Sequence, residues 1–148
     1  MAMQRRFEVG MDAVFPAGAW LAGPVEPVTD FNVQVGQGQP RPQKVDEDTG
    51  LLLWQVPVMD ADPEAGKRDK LVNVKLLAPH QPVPPENKSG TPFTPVRFEG
   101  LTATPWIDDS TQRVEGGQLR GRARIAWSFR ATGFTEVKAP GRSQQQAA

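Results

Sequence analysis

The stretch RARIAWSFRATGF, residues 122–134, alternates between two kinds of side chain over most of its length. A period of two is typical of a β-strand with one face against a hydrophobic core, so we predict a strand here. Its predicted inward face consists of Ala123, Ile125, Trp127, Phe129 and Ala131. Its predicted outward face consists of Arg122, Arg124, Ala126, Ser128, Arg130 and Thr132, so that three arginines lie on one side of the strand.

Four further segments have strand character and are separated by turn-forming residues. They span residues 18–28, 51–60, 70–77 and 96–108, and residues 5–10 are expected to add a short extra strand. The chain contains 15 prolines and 14 glycines, and no stretch of about a dozen residues has an apolar helical face free of both. We therefore predict an all-β protein.

The order of these strands predicts a small five-stranded barrel of the OB type. Most strands follow one another as hairpins, and the long connector, residues 78–95, contains six prolines that exclude the usual OB helix. A change of inward phase at Gly100 predicts a bulge, which would bend a barrel strand. Trp54, Trp127 and Phe129 are in phase with the apolar faces of their strands and are predicted to be buried. A generic small barrel or a sandwich is the alternative.

The 148 residues are enough for one domain that buries roughly 70% of its unfolded surface. We predict a single barrel domain over residues 1–138, followed by a disordered tail at 139–148 that has too little apolar content to become ordered. The predicted mobile loops are residues 32–50, residues 78–95 and residues 109–121, the last being a hairpin tip centred on Gly116–Gly117.

Residue types that carry much enzyme chemistry are scarce in this chain. It has no cysteine, and its single histidine, His80, lies in a proline-rich segment. The acidic set Asp60, Asp62 and Glu64 matches no metal-binding loop spacing, and the proline and glycine around it indicate a hairpin turn. We predict no catalytic residue, no cofactor and no metal site, and therefore no enzyme.

The hydropathy pattern predicts a protein without membrane contact. No run of 18 apolar residues occurs, and no apolar stretch of the kind found in signal peptides precedes Glu8. The expected location is the cytoplasm.

Charge is distributed unevenly although the formal net charge is zero. Residues 113–148 carry seven basic and two acidic side chains, whereas residues 1–112 carry ten basic and fifteen acidic ones. A basic sheet face flanked by aromatic rings suits a nucleic-acid strand, because cations follow the phosphates while the rings stack on bases. The predicted DNA-binding residues are Arg122, Arg124, Arg130, Lys67, Arg68, Lys70, Lys75, Trp20, Trp106 and Phe134.

A less specific interpretation of the arginine face is open at this point. The solvent side of an antiparallel strand is normally polar, and the three arginines would then pair with nearby acidic side chains. The strand pattern alone does not separate the two interpretations.

Four segments together resemble the plasmid replication, integration and excision activator family, which is carried by integrative and conjugative elements of actinobacteria. They are RRFEVGMDAVFPAGAWLAGPVEPVTDF (5–31), DTGLLLWQVPVMDADPEA (48–65), VRFEGLTATPWID (96–108) and RIAWSFRATGF (124–134). The resemblance implies an accessory factor that promotes replication, excision and integration of a mobile element. It implies no catalytic residue.

Two partner classes follow from these observations. A mobile element that excises and replicates exposes single-stranded DNA, which we predict as the partner in preference to double-stranded DNA because no helix-turn-helix pattern is present. The alternative is a protein-interaction adaptor or transcriptional activator that recruits a replication initiator or another replication or recombination protein. A homo-oligomer is compatible with either.

Overall fold

A computed structural model describes residues 3–67 and 70–137, and within them the protein is nearly all β-structure, as predicted. The predicted tail and Arg68 lie outside the described residues. The elements in chain order are β1 (Phe7–Glu8), α1 (Met11–Val14), β2 (Ala19–Leu21), β3 (Glu26–Pro27), β4 (Leu52–Asp60), β5 (Leu71–Ala78), β6 (Thr94–Glu99), β7 (Thr102–Asp108), β8 (Arg113–Glu115), β9 (Gln118–Arg120), β10 (Arg124–Ala131) and β11 (Gly133–Glu136).

Nine of these strands form one sheet that curls into a half-barrel. The strand order is β1-β7-β10-β5-β4-β2-β6-β11, and β3 pairs with β4 beside this path. All pairs are antiparallel except β10 with β5, which run parallel. The remaining strands, β8 and β9, form a separate hairpin. The described residues thus contain eleven strands rather than the five predicted from the sequence.

The number of strands exceeds the prediction partly because two long segments are each divided by a bend. Residues 96–108 pair with residues 124–136 in one continuous register, from Arg124 opposite Asp108 to Glu136 opposite Val96. We call this unit the bent hairpin. In one half of the bent hairpin, β6 pairs with β2. In the other half, β10 pairs with β5. The bend between the two halves therefore curls the sheet.

The bend occurs at Gly100, whose φ is +60°, in the left-handed region that favours glycine. Phe98 is buried before it and Leu101 after it, so the inward phase changes here as predicted. The predicted bulge is wrong, because the register is the same on both sides and no extra residue is inserted. The inward-facing positions change by one residue in both paired segments at this point, so the pairing continues across the bend. There the Thr132 amide donates to the Glu99 carbonyl oxygen at 2.9 Å.

The core lies inside the curl and is built from the inward positions of the long strands. Trp54 is buried as predicted, and its indole N–H donates to the Ala78 carbonyl oxygen at 3.0 Å. Phe129 is partly buried, with its ring centroid 6.2 Å from that of Phe15. The largest fully buried side chains are Leu53, Val56, Val58, Val74, Leu76 and Val96.

The predicted burial of Trp127 is wrong. Its side chain is 50% exposed, and that of Ile125 is 71% exposed. The reason is that β5 pairs with β10 only at Phe129–Ala131, so the earlier residues of β10 continue past the part of the sheet that covers the core. Ala123, predicted on the same inward face, is exposed as well.

The loops follow the predicted turn chemistry, while their mobility stays a prediction. Gly116 and Gly117, with φ of +57° and +78°, form the predicted tip between β8 and β9, the geometry of a type I′ turn. Residues 79–93 contain no helix or strand. The acidic turn after β4 is closed by Asp60 and Asp62, whose carboxylates each accept an amide N–H two residues further on at 2.9 Å.

Candidate nucleic-acid interface

The outer part of the bent hairpin, residues 104–128, is a distinct region that we call the arm. It consists of the ends of β7 and β10 with the β8–β9 hairpin between them. In the described structure no third strand pairs with β7 after Ala103 or with β10 before Phe129. Six large apolar side chains of the arm are exposed: Trp106, Ile107, Val114, Leu119, Ile125 and Trp127. Such a concentration of exposed apolar surface is typical of a binding site.

The two tryptophans of the arm lie on opposite sides of its ribbon. Trp127 pairs in register with Pro105 and lies on the side that continues from the core. Trp106 pairs with Ala126 and lies on the other side, together with Arg124. Both tryptophan residues are 50% exposed.

A groove of about 590 Å³ opens where β10 and β5 stop pairing. The arm contributes both tryptophans, and β5 contributes the opposite wall. The lining residues important here are Trp106, Arg124, Trp127, Phe129, Asn73 and Lys75. Trp106, Arg124 and Lys75 line the groove from the outer face of the sheet, and Trp127 lines it from the side that continues from the core.

Arg124 is held in place within the groove. Its Nε donates to Asp108 Oδ2 at 3.2 Å, across the β7–β10 pair. The Ser110 hydrogen bonds to Asp108, with a further contribution from Arg124, lower the pKa of that carboxyl below its ordinary value. Arg124 keeps 43% of its side chain exposed, so it remains accessible to a ligand.

Arg130 does not face solvent freely, contrary to the predicted arginine face. Its Nη1 lies 3.1 Å from Oδ1 of the buried Asp46, and only 20% of its side chain is exposed. The other Asp46 oxygen accepts the Thr49 hydroxyl at 2.7 Å and the Thr49 amide at 3.0 Å. Arg130 thus fastens the acidic loop before β4 to β10, in agreement with the less specific interpretation of this arginine.

The hydrogen bonds from Thr49 and the Arg130 guanidinium lower the pKa of Asp46 below its ordinary value, against the opposing effect of burial. The carboxylate is therefore charged in the folded protein at neutral pH. This ion pair has no counterpart in the sequence pattern, because its partners are 84 residues apart.

Lys75 lies next to Arg130 in the parallel pairing of β5 with β10. Burial, followed by the nearby charges of Arg130 and Lys44, lowers the pKa of Lys75. The side chain is partly buried and also lines the groove. Lys75 is thus a cation in a cationic environment.

The other predicted DNA-binding residues do not line the groove, and one of them, Arg68, is outside the described residues. Lys67 and Lys70 are exposed in the turn between β4 and β5, and Arg122 is exposed just before β10. Trp20 is partly buried on β2. Phe134 is partly buried against Phe98, at 6.2 Å between ring centroids, and its role in DNA binding stays a prediction.

Trp127 was missed as a site residue because its position in the alternation is that of a core residue. A signal was available in strand length. Residues 96–108 share one register of 13 positions with residues 124–136, whereas β4, the longest single strand, has nine residues, so the hairpin must extend past its neighbours. A long hairpin with two tryptophans in the part that extends past its neighbours indicates an exposed aromatic surface.

Two further observations concern other kinds of site. Among residues 3–67 and 70–137, no three histidine, aspartate or glutamate side chains are arranged to hold a metal ion. No helix in the same part of the chain has the length and apolar character needed to cross a membrane.

Comparisons of the chain with protein families, with curated proteins and with solved structures gave no match.

Proposed function

We propose that this protein binds single-stranded DNA in the groove between the arm and β5, as an accessory factor without catalytic activity of its own. The observation that carries the proposal is that Trp106, Trp127, Arg124 and Lys75 all line this one groove. Stacking on aromatic rings provides sequence-tolerant affinity for unpaired bases, and basic side chains provide affinity for the phosphates. Aromatic rings also favour unpaired bases over a duplex, whose bases are stacked on one another.

The limited helix content favours the same substrate. Reading a major groove usually requires a recognition helix, and α1, with four residues, is the only helix in the described chain. The arm is a two-stranded ribbon that exposes six large apolar side chains beside its arginines, and apolar side chains form none of the hydrogen bonds that read base edges. We therefore place single-stranded DNA ahead of double-stranded DNA.

The strand pairings support a more specific proposal about the fold. β6 and β7 are halves of one long strand, and β10 and β11 are halves of another, so with β2, β4 and β5 there are five strands in all. Their pairings form a closed circuit: β2 with β4, β4 with β5, β5 with β10, β10 with β7, and β6 with β2. We propose that this circuit is a five-stranded barrel of the OB type. OB barrels commonly bind oligonucleotides beside their second and third strands and the loops that flank them, here β4, β5 and the arm.

The biological setting of the proposal rests on the family resemblance of the sequence. An accessory factor that promotes replication, excision and integration of a mobile element works in the cytoplasm, where single-stranded intermediates arise. Binding would protect such intermediates, or would present them to the replication and recombination proteins of the element.

The test is direct binding of the purified chain to labelled oligothymidylate and to a duplex of the same length, each at two salt concentrations. We expect binding to the single strand that is stronger than binding to the duplex and that weakens as salt increases. Equal or stronger binding to the duplex would contradict the strand preference. No binding to either would contradict the function.

A second candidate function is favoured by the apolar character of the arm. Ile107 and Ile125 pair side by side and are each about 70% exposed, and Val114 pairs with Leu119 at the tip. Such a surface suits a protein partner, as expected of an adaptor that recruits a replication initiator. Co-purification of an initiator with the parent, lost in an Ile107→Ser variant that still binds DNA, would support this candidate.

A further inference from the structure

We propose that Lys75, Lys44 and Arg130 form a binding site for one phosphate group of the DNA backbone at the edge of the groove. The inference rests on the proposed function and adds to it the position at which the backbone is held. It also assigns Asp46 as the residue that positions this site.

The geometry places two of the cations side by side. Arg130 and Lys75 are register partners on β10 and β5. The residues that flank Lys75 in β5 include Val74, which is fully buried, and Ala131 next to Arg130 is buried as well. Since side chains alternate along strands, both cations lie on the outer face of the sheet.

The third cation comes from the loop that Asp46 fastens. Lys44 lies two residues before Asp46, and its backbone is held by hydrogen bonds to Val28 and Leu53. Its charge acts on Lys75, as does that of Arg130. The Lys44 carbonyl oxygen accepts the Leu53 amide, two residues from Gln55, which is the register partner of Lys75, so the loop that the Asp46–Arg130 ion pair fastens carries Lys44 to this part of the sheet.

The charges in this cluster do not balance. Asp46 is the one carboxylate paired with these three cations in the described chain, and Thr49 satisfies its second oxygen. Neither Lys75 nor Lys44 forms an ion pair with any described acidic residue. A partly buried ammonium group without a counterion is unfavourable, and an anion bound beside it removes that cost.

The groove specifies which anion fits. Lys75 and Trp106 both lie on the outer face of the sheet and line the same groove, so a strand whose bases stack on Trp106 passes its backbone close to Lys75. A phosphodiester supplies one negative charge per nucleotide with several acceptor oxygens, which suits two ammonium groups and a guanidinium.

The experiment compares Lys75→Gln with Lys88→Gln. Both variants remove one lysine charge, but Lys88 lies in the connector before β6, paired with Glu136 at 3.3 Å. Affinity for an oligothymidylate of about 15 nucleotides is measured over a range of salt concentrations. We expect Lys75→Gln to bind more weakly and to make the slope of log K against log salt shallower by about 0.7. Lys88→Gln and Lys75→Arg should both keep the parental slope.

A second measurement separates the possible failures. Inorganic phosphate is titrated into isotope-labelled protein, and shifts of the backbone amide signals of Lys75 and Gln55 are expected. If Lys75→Gln is folded and binds the oligothymidylate with the parental slope, this inference is overturned and the proposed function stands. If the parent protein binds no DNA, the proposed function is wrong, and DNA is not the ligand of this site. A response of Lys75 to inorganic phosphate in that case would assign the site to another phosphate compound.

Discussion

The two halves of β10 share an alternating pattern but lie in different surroundings. At residues 129–131 the strand pairs with β5 on one edge and β7 on the other, and Ala131 is 1% exposed. At residues 124–128 it pairs with β7 alone, and Ile125 and Trp127 are largely exposed. Alternation determines the side of the sheet on which a residue lies. Burial additionally requires an element that covers that side.

The difference separates stability from binding within one strand. Apolar residues at 129–131 contribute to the core, whereas Ile125 and Trp127 are exposed, and in the proposed function they belong to the surface that binds the ligand. Substitutions that distinguish the two halves therefore test the whole interpretation.

The largest expected effect is in the core half. Leu76 pairs with Ala131 and is fully buried. Leu76→Ala should lower the free energy of unfolding by about 2–5 kcal/mol, because the substitution leaves a cavity in the core. Ile125→Ala, on the arm, should change it by no more than about 0.5 kcal/mol. Chemical denaturation of both variants gives the comparison. Similar losses for the two would remove the distinction between the halves.

The next effect concerns the two arginines of β10. Arg130→Gln should lower the free energy of unfolding by about 1.5–3 kcal/mol, because it leaves the buried Asp46 without its charged partner. Arg124→Gln should change it by less than about 1 kcal/mol, since that ion pair is more exposed. Thermal and chemical unfolding check both values. An Arg130→Gln variant as stable as the parent would show that the ion pair does not hold the loop.

A smaller effect is expected at the bend that divides the two halves. Gly100→Ala should lower the free energy of unfolding by about 1–2 kcal/mol, because φ is +60° and the new Cβ would lie 2.6 Å from Thr132 Oγ1. Gly116→Ala is the matched control, with φ of +57° and open space around the added Cβ. The first variant should be the less stable of the two. The reverse order would mean that the close approach to Thr132 is not important.

The smallest effect is a pH dependence confined to acid. The pKa of Asp46 in the folded protein is below its ordinary value of 3.8, so the folded state is stabilised by the charged form. That stabilisation is complete above the pKa of the unfolded chain and is lost as the pH falls through the lower folded pKa. Unfolding measured from neutral pH into acid should show the stabilities of the parent and of Asp46→Asn converging as the pH falls. A constant difference would contradict the role of the charge.

The sequence predicted what depends on local pattern and missed what depends on distant partners. The all-β class, the burial of Trp54, the phase change at Gly100 and the Gly116–Gly117 tip all follow from alternation and turn chemistry. The predicted burial of Trp127 is wrong because the alternation of apolar and polar residues does not show where β5 stops pairing with β10.

The candidate site was predictable in part for the same reason. Trp106, Arg124 and Lys75 were identified by residue type and face, and the structure brings all three to one groove. An acidic partner for Arg130 was one of the two interpretations of the sequence, but its identity as Asp46 was not predictable, because it depends on how a loop 84 residues away folds over the sheet.

The central claim is that Trp127 is kept exposed for a ligand, and a Trp127→Ala variant tests it most directly when stability and affinity are measured on the same preparation. We predict a loss of less than about 2 kcal/mol in the free energy of unfolding, together with an affinity for oligothymidylate that is lower by about 5- to 150-fold, as expected for one lost stacking contact. Trp127→Phe, which keeps a ring, should retain most of the affinity. A loss of about 3–5 kcal/mol in stability would place Trp127 in the core after all, and unchanged affinity in a folded variant would remove it from the DNA-binding site.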